Sequence, residues 1–142
     1  MAKGLEANAQ FDIGSVAKTF LATLTLLLAE EGALGLDDDV RAHLPPRFEG
    51  VGPVTVCSLL NHTSGLPDFF EDAALAATWR ESPDRDWNPD ELLEISLALP
   101  RHEQGVFSYA NSNYIVIAFA IEAVTGARWA NRCAGEYSIH TS

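Results

Sequence analysis

Ser15 and Lys18 stand three residues apart in "DIGSVAKTF", residues 12–20. On a helix, positions i and i+3 share a face, so the Ser15 hydroxyl and the Lys18 amine can come within hydrogen-bond reach. A serine hydroxyl is a weak nucleophile until a neighbouring base takes its proton, and a neutral lysine amine is such a base. Lys18 falls near the start of a predicted helix, where the macrodipole is already positive and a cation is misplaced. That misplacement makes sense if the amine must be neutral for part of a cycle. The helix end, and burial under a later apolar helix, both push it that way. The same helix end favours a developing oxyanion near the Ser15 N–H. Ser-x-x-Lys spacing alone is common by chance. Gly14 before it and the long apolar segment after it set this copy apart.

A second group lies in "FSYANSN", residues 107–113. In an extended segment the side chains of Tyr109 and Asn111 point the same way. A phenol can carry a proton when a nearby cation lowers its pKa. An asparagine amide can donate to a substrate carbonyl and accept from a lysine ammonium. Simple packing of Tyr109 at a helix start, with Asn111 making a turn, is the alternative for this loop alone.

Four helices must position these groups. The first is predicted from about Ser15 to Glu31, with Phe20, Leu21, Leu24, Leu27 and Leu28 at spacings of three and four, and with Gly32 as its stop. The second is "TVCSLLNH", capped by Thr55 and followed by a turn at "TSGLP". The third is "NPDELLEISLAL", where Asn88, Pro89 and Glu91 form a capping-box pattern. The fourth starts near Asn113 and runs to Val124, apolar almost all round and therefore deeply buried, with Gly126 beyond it. "LGLDDDVRAHLPPRFEGVGP", a Pro/Gly-rich stretch around residues 65–89 and "PRHEQGVFSYANS" read as connections. "PVTV" and the terminal "GEYSIHTS" are the strand signals. The direct reading is mainly α, one lobe.

Composition bounds the function classes. Hydrophobic residues make up 47% of the 142 and charged residues 20%, a balance that buries a core. The net charge of −11 argues against nucleic acid and anionic membrane surfaces, both of which need clustered Lys and Arg. No apolar run reaches the ~20 residues of a membrane span. "MAKGLEANAQ" does not look like a signal peptide, so the chain as written reads as soluble and unexported. Cys57 and Cys133 are too few for a disulfide framework; each reads as a small hydrophobe. His62 lacks any metal-ligand cluster around it and reads as a packing residue that braces its turn.

The order of "FDIGSVAKTF", "LLLAEEGALGLDDDV", "VTVCSLLNHTSGLPDF" and "FSYANSNYIVIAFAIEAVTG" resembles the serine β-lactamase-like family. It is most similar to the branch of class C β-lactamases, D-alanyl-D-alanine carboxypeptidases and esterases. The resemblance spans residues 11–128, leaving 129–142 as a divergent tail of a single partial domain over 1–142. It implies acyl transfer to a β-lactam, a D-Ala-D-Ala peptide or an ester, with neither metal nor cofactor. Ser15 would be the nucleophile and Lys18 would take or relay its proton. Tyr109 would protonate the leaving group and activate water, and Asn111 would orient substrate and Lys18. The identity of the base is disputed within the superfamily.

The chain departs from that family at both ends. The family's third motif, Lys/His-Thr/Ser-Gly, lies on a sheet strand well after the Tyr-x-Asn loop. Here "HTS", residues 140–142, comes too soon and lacks the Gly; it reads as coincidence. Only ten residues precede Phe11, where the family places two strands. The expectation is the helical lobe of the β-lactamase/DD-peptidase-like α/β fold with most of its sheet absent: a gene fragment, a truncated product or half of a split protein. Such a lobe would expose its sheet-facing side and tend to self-associate. Two other functions stay open: a non-catalytic remnant or interaction module that needs a partner chain, and a small-ester esterase.

Overall fold

The computed structural model describes residues 13–129. A 3₁₀ turn, Gly14–Val16, runs straight into α1, Ala17–Glu30. The remaining helices are α2 (Val56–Leu60), α3 (Ala73–Glu81), α4 (Pro89–Ala98) and α5 (Asn111–Thr125). Short 3₁₀ segments at Val40–His43, Pro46–Val51 and Phe69–Glu71 fill the connections. No strand forms among the described residues; the expected "PVTV" strand is reduced to one isolated antiparallel bridge between Asp39 and Thr55. The other strand signal, "GEYSIHTS", and the "HTS" triplet within it lie outside the described residues.

α5 is the hub, touching α1, α2 and α4. Its Val116, Ile117, Ala120 and Ile121 meet Leu21, Leu24 and Leu28 of α1, Val56 and Leu59 of α2, and Leu93 of α4 in one continuous core. Burying each large aliphatic side chain there contributes about 1.5–3 kcal/mol. α5 ends on Gly126 in the left-handed conformation, φ 68°, as its sequence implies. Its start is two residues earlier than the hydrophobic pattern alone marks, because Asn111 and Ser112 are polar yet helical.

Local chemistry explains the other boundaries. Thr55 caps α2 by accepting from the Ser58 N–H. Asn88 caps α4 through the Asp90 N–H, but the expected box with Glu91 does not form. The Glu91 carboxylate instead accepts from Arg85, at 2.7 Å. The true capping box is Asp68/Glu71. α3 lies in the stretch read as connection: Asp72 caps it, and its Ala-rich sequence has one buried residue, Leu75, too thin an apolar face to register as periodicity. Cys57 is exposed, because Val56 and Leu59 take the core-facing side of α2; Cys133 lies outside the described residues. No described helix is long and apolar enough to cross a membrane.

Candidate active site

Ser15 sits in the 3₁₀ turn and Lys18 in the first turn of α1, so the pair spans the start of one helical run. Lys18 Nζ donates to Ser15 Oγ at 3.2 Å and to Asn111 Oδ1 at 2.8 Å. Ser15 Oγ lies 2.9 Å from Tyr109 Oη. Tyr109 ends the loop before α5, and Ala110 between it and Asn111 is extended, φ −141° and ψ 127°. Tyr109 and Asn111 therefore project together toward α1, with the phenol also 3.5 Å from Asn111 Oδ1. All four residues singled out in the sequence meet at this point. Ser15 and Tyr109 are exposed, while Lys18 and Asn111 are half-buried. Lys18 Nζ also lies 5.3 Å from the centre of the Tyr109 ring and 5.8 Å from that of Tyr114.

The polarity of this chain has a chemical consequence. Lys18 points donors at both Ser15 and Asn111. That leaves the Ser15 hydrogen free to be donated to Tyr109 Oη. Burial would raise the Tyr109 pKa, but hydrogen bonding from Lys18 and Ser15, together with the Lys18 charge, outweighs it. The phenol is held below its ordinary value of 10.0. An open cavity of about 520 Å³ adjoins Lys18 and Asn111, walled by Leu21, Phe69, Leu92 and Ile115.

The segment from His62 to Asp68 forms the scaffold behind these groups. It crosses the start of α5 and bonds it at three places. His62 Nδ1 accepts from the Ala110 N–H at 3.3 Å and faces Asn113 Nδ2 at 3.0 Å. Ser64 Oγ donates to Asn113 Oδ1. Asp68 Oδ2 accepts from the Asn111 N–H and from Asn111 Nδ2, at 2.9 and 2.8 Å. On its outer side the segment is met by the loop before Tyr109: the N–H groups of His102, Gly105 and Ser108 donate to the carbonyls of Gly65, Thr63 and His62. The His62 ring packs 4.5 Å from that of Tyr109. Its burial, and then the Lys18 charge, hold it below the ordinary histidine pKa, which favours the neutral ring, and the Ala110 N–H marks Nδ1 as its acceptor. His62 thus braces the turn and the Tyr109 loop together. Asp68 escaped sequence reasoning. Its only local signal is the Asp-x-x-Glu pattern of the capping box, which says nothing of Asn111.

A family model described as Beta-lactamase matches residues 2–136. The chain belongs to the beta-lactamase family. Among curated relatives, penicillin-binding protein 4* of Bacillus subtilis is 34% identical over 131 residues, covering 89% of this chain and 28% of the relative. Among solved structures, a D-stereospecific amidohydrolase from Streptomyces sp. superposes with TM-score 0.82 at 33% identity, over 89% of this chain and 41% of that one. A penicillin-binding protein from Bacillus halodurans follows with TM-score 0.74 at 26% identity, over 88% and 38%. The chain therefore spans little more than a quarter of the curated relative. The described residues are the helical lobe of the beta-lactamase fold.

Proposed function

We propose that this lobe carries the acylation chemistry of a serine hydrolase acting on amide or ester carbonyls. The carrying observation is the continuous contact Tyr109 Oη–Ser15 Oγ–Lys18 Nζ–Asn111 Oδ1. Tyr109, as its phenolate, takes the Ser15 proton and becomes the neutral phenol as Oγ attacks the carbonyl carbon, and the carbonyl electrons move to oxygen. Lys18 stays as a donor that stabilises the incipient alkoxide. Collapse of the tetrahedral species expels the amine or alcohol, which takes the proton back from Tyr109. The acyl group is then on Ser15. Water repeats the sequence and frees the acid. The names of the relatives, penicillin-binding protein and D-stereospecific amidohydrolase, support β-lactams and amides of D-residues as the first substrates to try.

The test is exposure of the chain to a fluorescent penicillin, with intact mass, peptide mapping and Ser15→Ala alongside. One adduct on Ser15, absent from Ser15→Ala, is expected. A folded chain with no adduct would sink the reading for the lobe by itself. A second reading is favoured by the rim of the site. Val16, Phe20, Val106 and Phe107, neighbours in sequence of the four site residues, are all large, apolar and exposed. On that reading the lobe is an interaction module that reacts only when another chain covers the rim. A p-nitrophenyl ester turned over while a chromogenic cephalosporin is not would instead indicate a small-ester esterase.

A further inference from the structure

Asp68 is only 8% exposed, and its carboxylate accepts from N–H groups rather than from a cation. Beside the Glu71 N–H of the capping box, they are the Phe70 N–H on Oδ1, and the Asn111 N–H and Nδ2 on Oδ2. Burying a carboxylate is costly without such donors. The positive start of α5 lowers that cost further, and Ala110, the cap position of α5, offers no side-chain bond of its own. Capping alone would need only the backbone groups. The bond to the Asn111 side chain does something different. An amide has two nearly equivalent ends. With Oδ1 turned toward Asp68, two acceptors would stand 2.8 Å apart and Lys18 would face an N–H group. With Nδ2 turned toward Asp68, both ends are satisfied, and Lys18 finds an acceptor at 2.8 Å.

We propose that Asp68 is a positioning residue: its carboxylate locks the Asn111 amide so that the amide oxygen faces Lys18. The lock itself rests on geometry alone. Its effect on rate rests on the acyl-transfer reading above. The lock also leaves the second Nδ2 hydrogen unclaimed by Asp68 and available to a substrate carbonyl. Pro67, next to Asp68, accepts from the buried Ser96 hydroxyl of α4 at 2.7 Å, so the carboxylate is anchored from outside the site.

The experiment uses the ¹⁵N-labelled full chain and follows the side-chain amide signals of Asn111. In the unmodified chain, one of its two hydrogens is expected downfield and protected from solvent exchange. In Asp68→Asn, which keeps size and capping ability but loses the charge and one acceptor, that protection should fall about tenfold or more, with the α1 and α2 backbone signals in place. An unprotected Asn111 amide in the unmodified chain would overturn the proposal without any variant, so misfolding of Asp68→Asn does not shield it. An unchanged Asn111 signal in folded Asp68→Asn would overturn it too. With penicillin, Asp68→Asn should slow Ser15 acylation by about 10–100-fold, the range that outer partners of metal-ligating side chains show; an equal rate would overturn the functional half. Failure of the unmodified chain to acylate at all counts against the acyl-transfer reading, while the amide signals still decide the lock.

Discussion

Tyr109 is pulled in two directions, and the outcome fixes a pH profile. Burial disfavours its phenolate, but bonding from Lys18 and Ser15 and the Lys18 charge prevail, leaving the pKa below 10.0. If the phenolate is the base, its population rises with pH, so acylation of Ser15 should accelerate through a midpoint below 10. Tyr109→Phe should remove that rise and lower the rate by about 10²–10⁴-fold, the range of general-base contributions. The check is the second-order acylation rate from about pH 6 to 10; a profile shared by both proteins would exclude Tyr109 as the base. The paired spacings of Ser15 with Lys18 and of Tyr109 with Asn111 were legible in the sequence, because helix and strand periodicities are local. That the two pairs meet across 94 residues was legible only through the order of the four family-like blocks. Asp68 was not legible at all, since its tie to Asn111 spans 43 residues with no local period to betray it.

The segment 62–68 positions the site because backbone from two loops passes at close range, and Gly65 makes that passage possible. Its φ is +74°, and a Cβ there would lie 2.6 Å from the His102 carbonyl oxygen. Gly65→Ala should therefore cost more than the about 1–2 kcal/mol of a left-handed alanine, because the obstructing atom is backbone and cannot swing away. Gly126→Ala, also at positive φ but with nothing within 4 Å of its Cβ, should cost only the conformational part. Urea midpoints of the two variants check this; equal losses would mean the loops separate easily. Helices α1, α2, α4 and α5 were readable from apolar spacing and caps. α3 was not, because Leu75 is its one buried residue and alanines do not mark a face. The capping box was expected at Asn88 and found at Asp68, since Glu91 had a better partner in Arg85 than in a backbone N–H.

Taken as a whole, the molecule sets a large like charge against exposed apolar side chains. A net charge of −11 keeps copies apart at low ionic strength. Val16, Phe20, Val106 and Phe107, all more than a third exposed, favour contact. Salt shortens the reach of the repulsion to roughly 8 Å at 0.15 M and leaves the apolar attraction in place. Sedimentation should therefore show a mass near 15.4 kDa at low salt and growing association as salt is added. Val106→Glu should suppress that growth, and salt-independent mass would mean the rim is inert. The separation of Ser15 from Tyr109 along the chain has a bearing on synthesis. Ser15 leaves the ribosome first and stays without its phenolic partner until 94 further residues have been made, roughly 5–20 s at usual elongation rates. On the acyl-transfer reading, the nascent serine lacks its proton acceptor through that interval, and translation itself would time the onset of its reactivity.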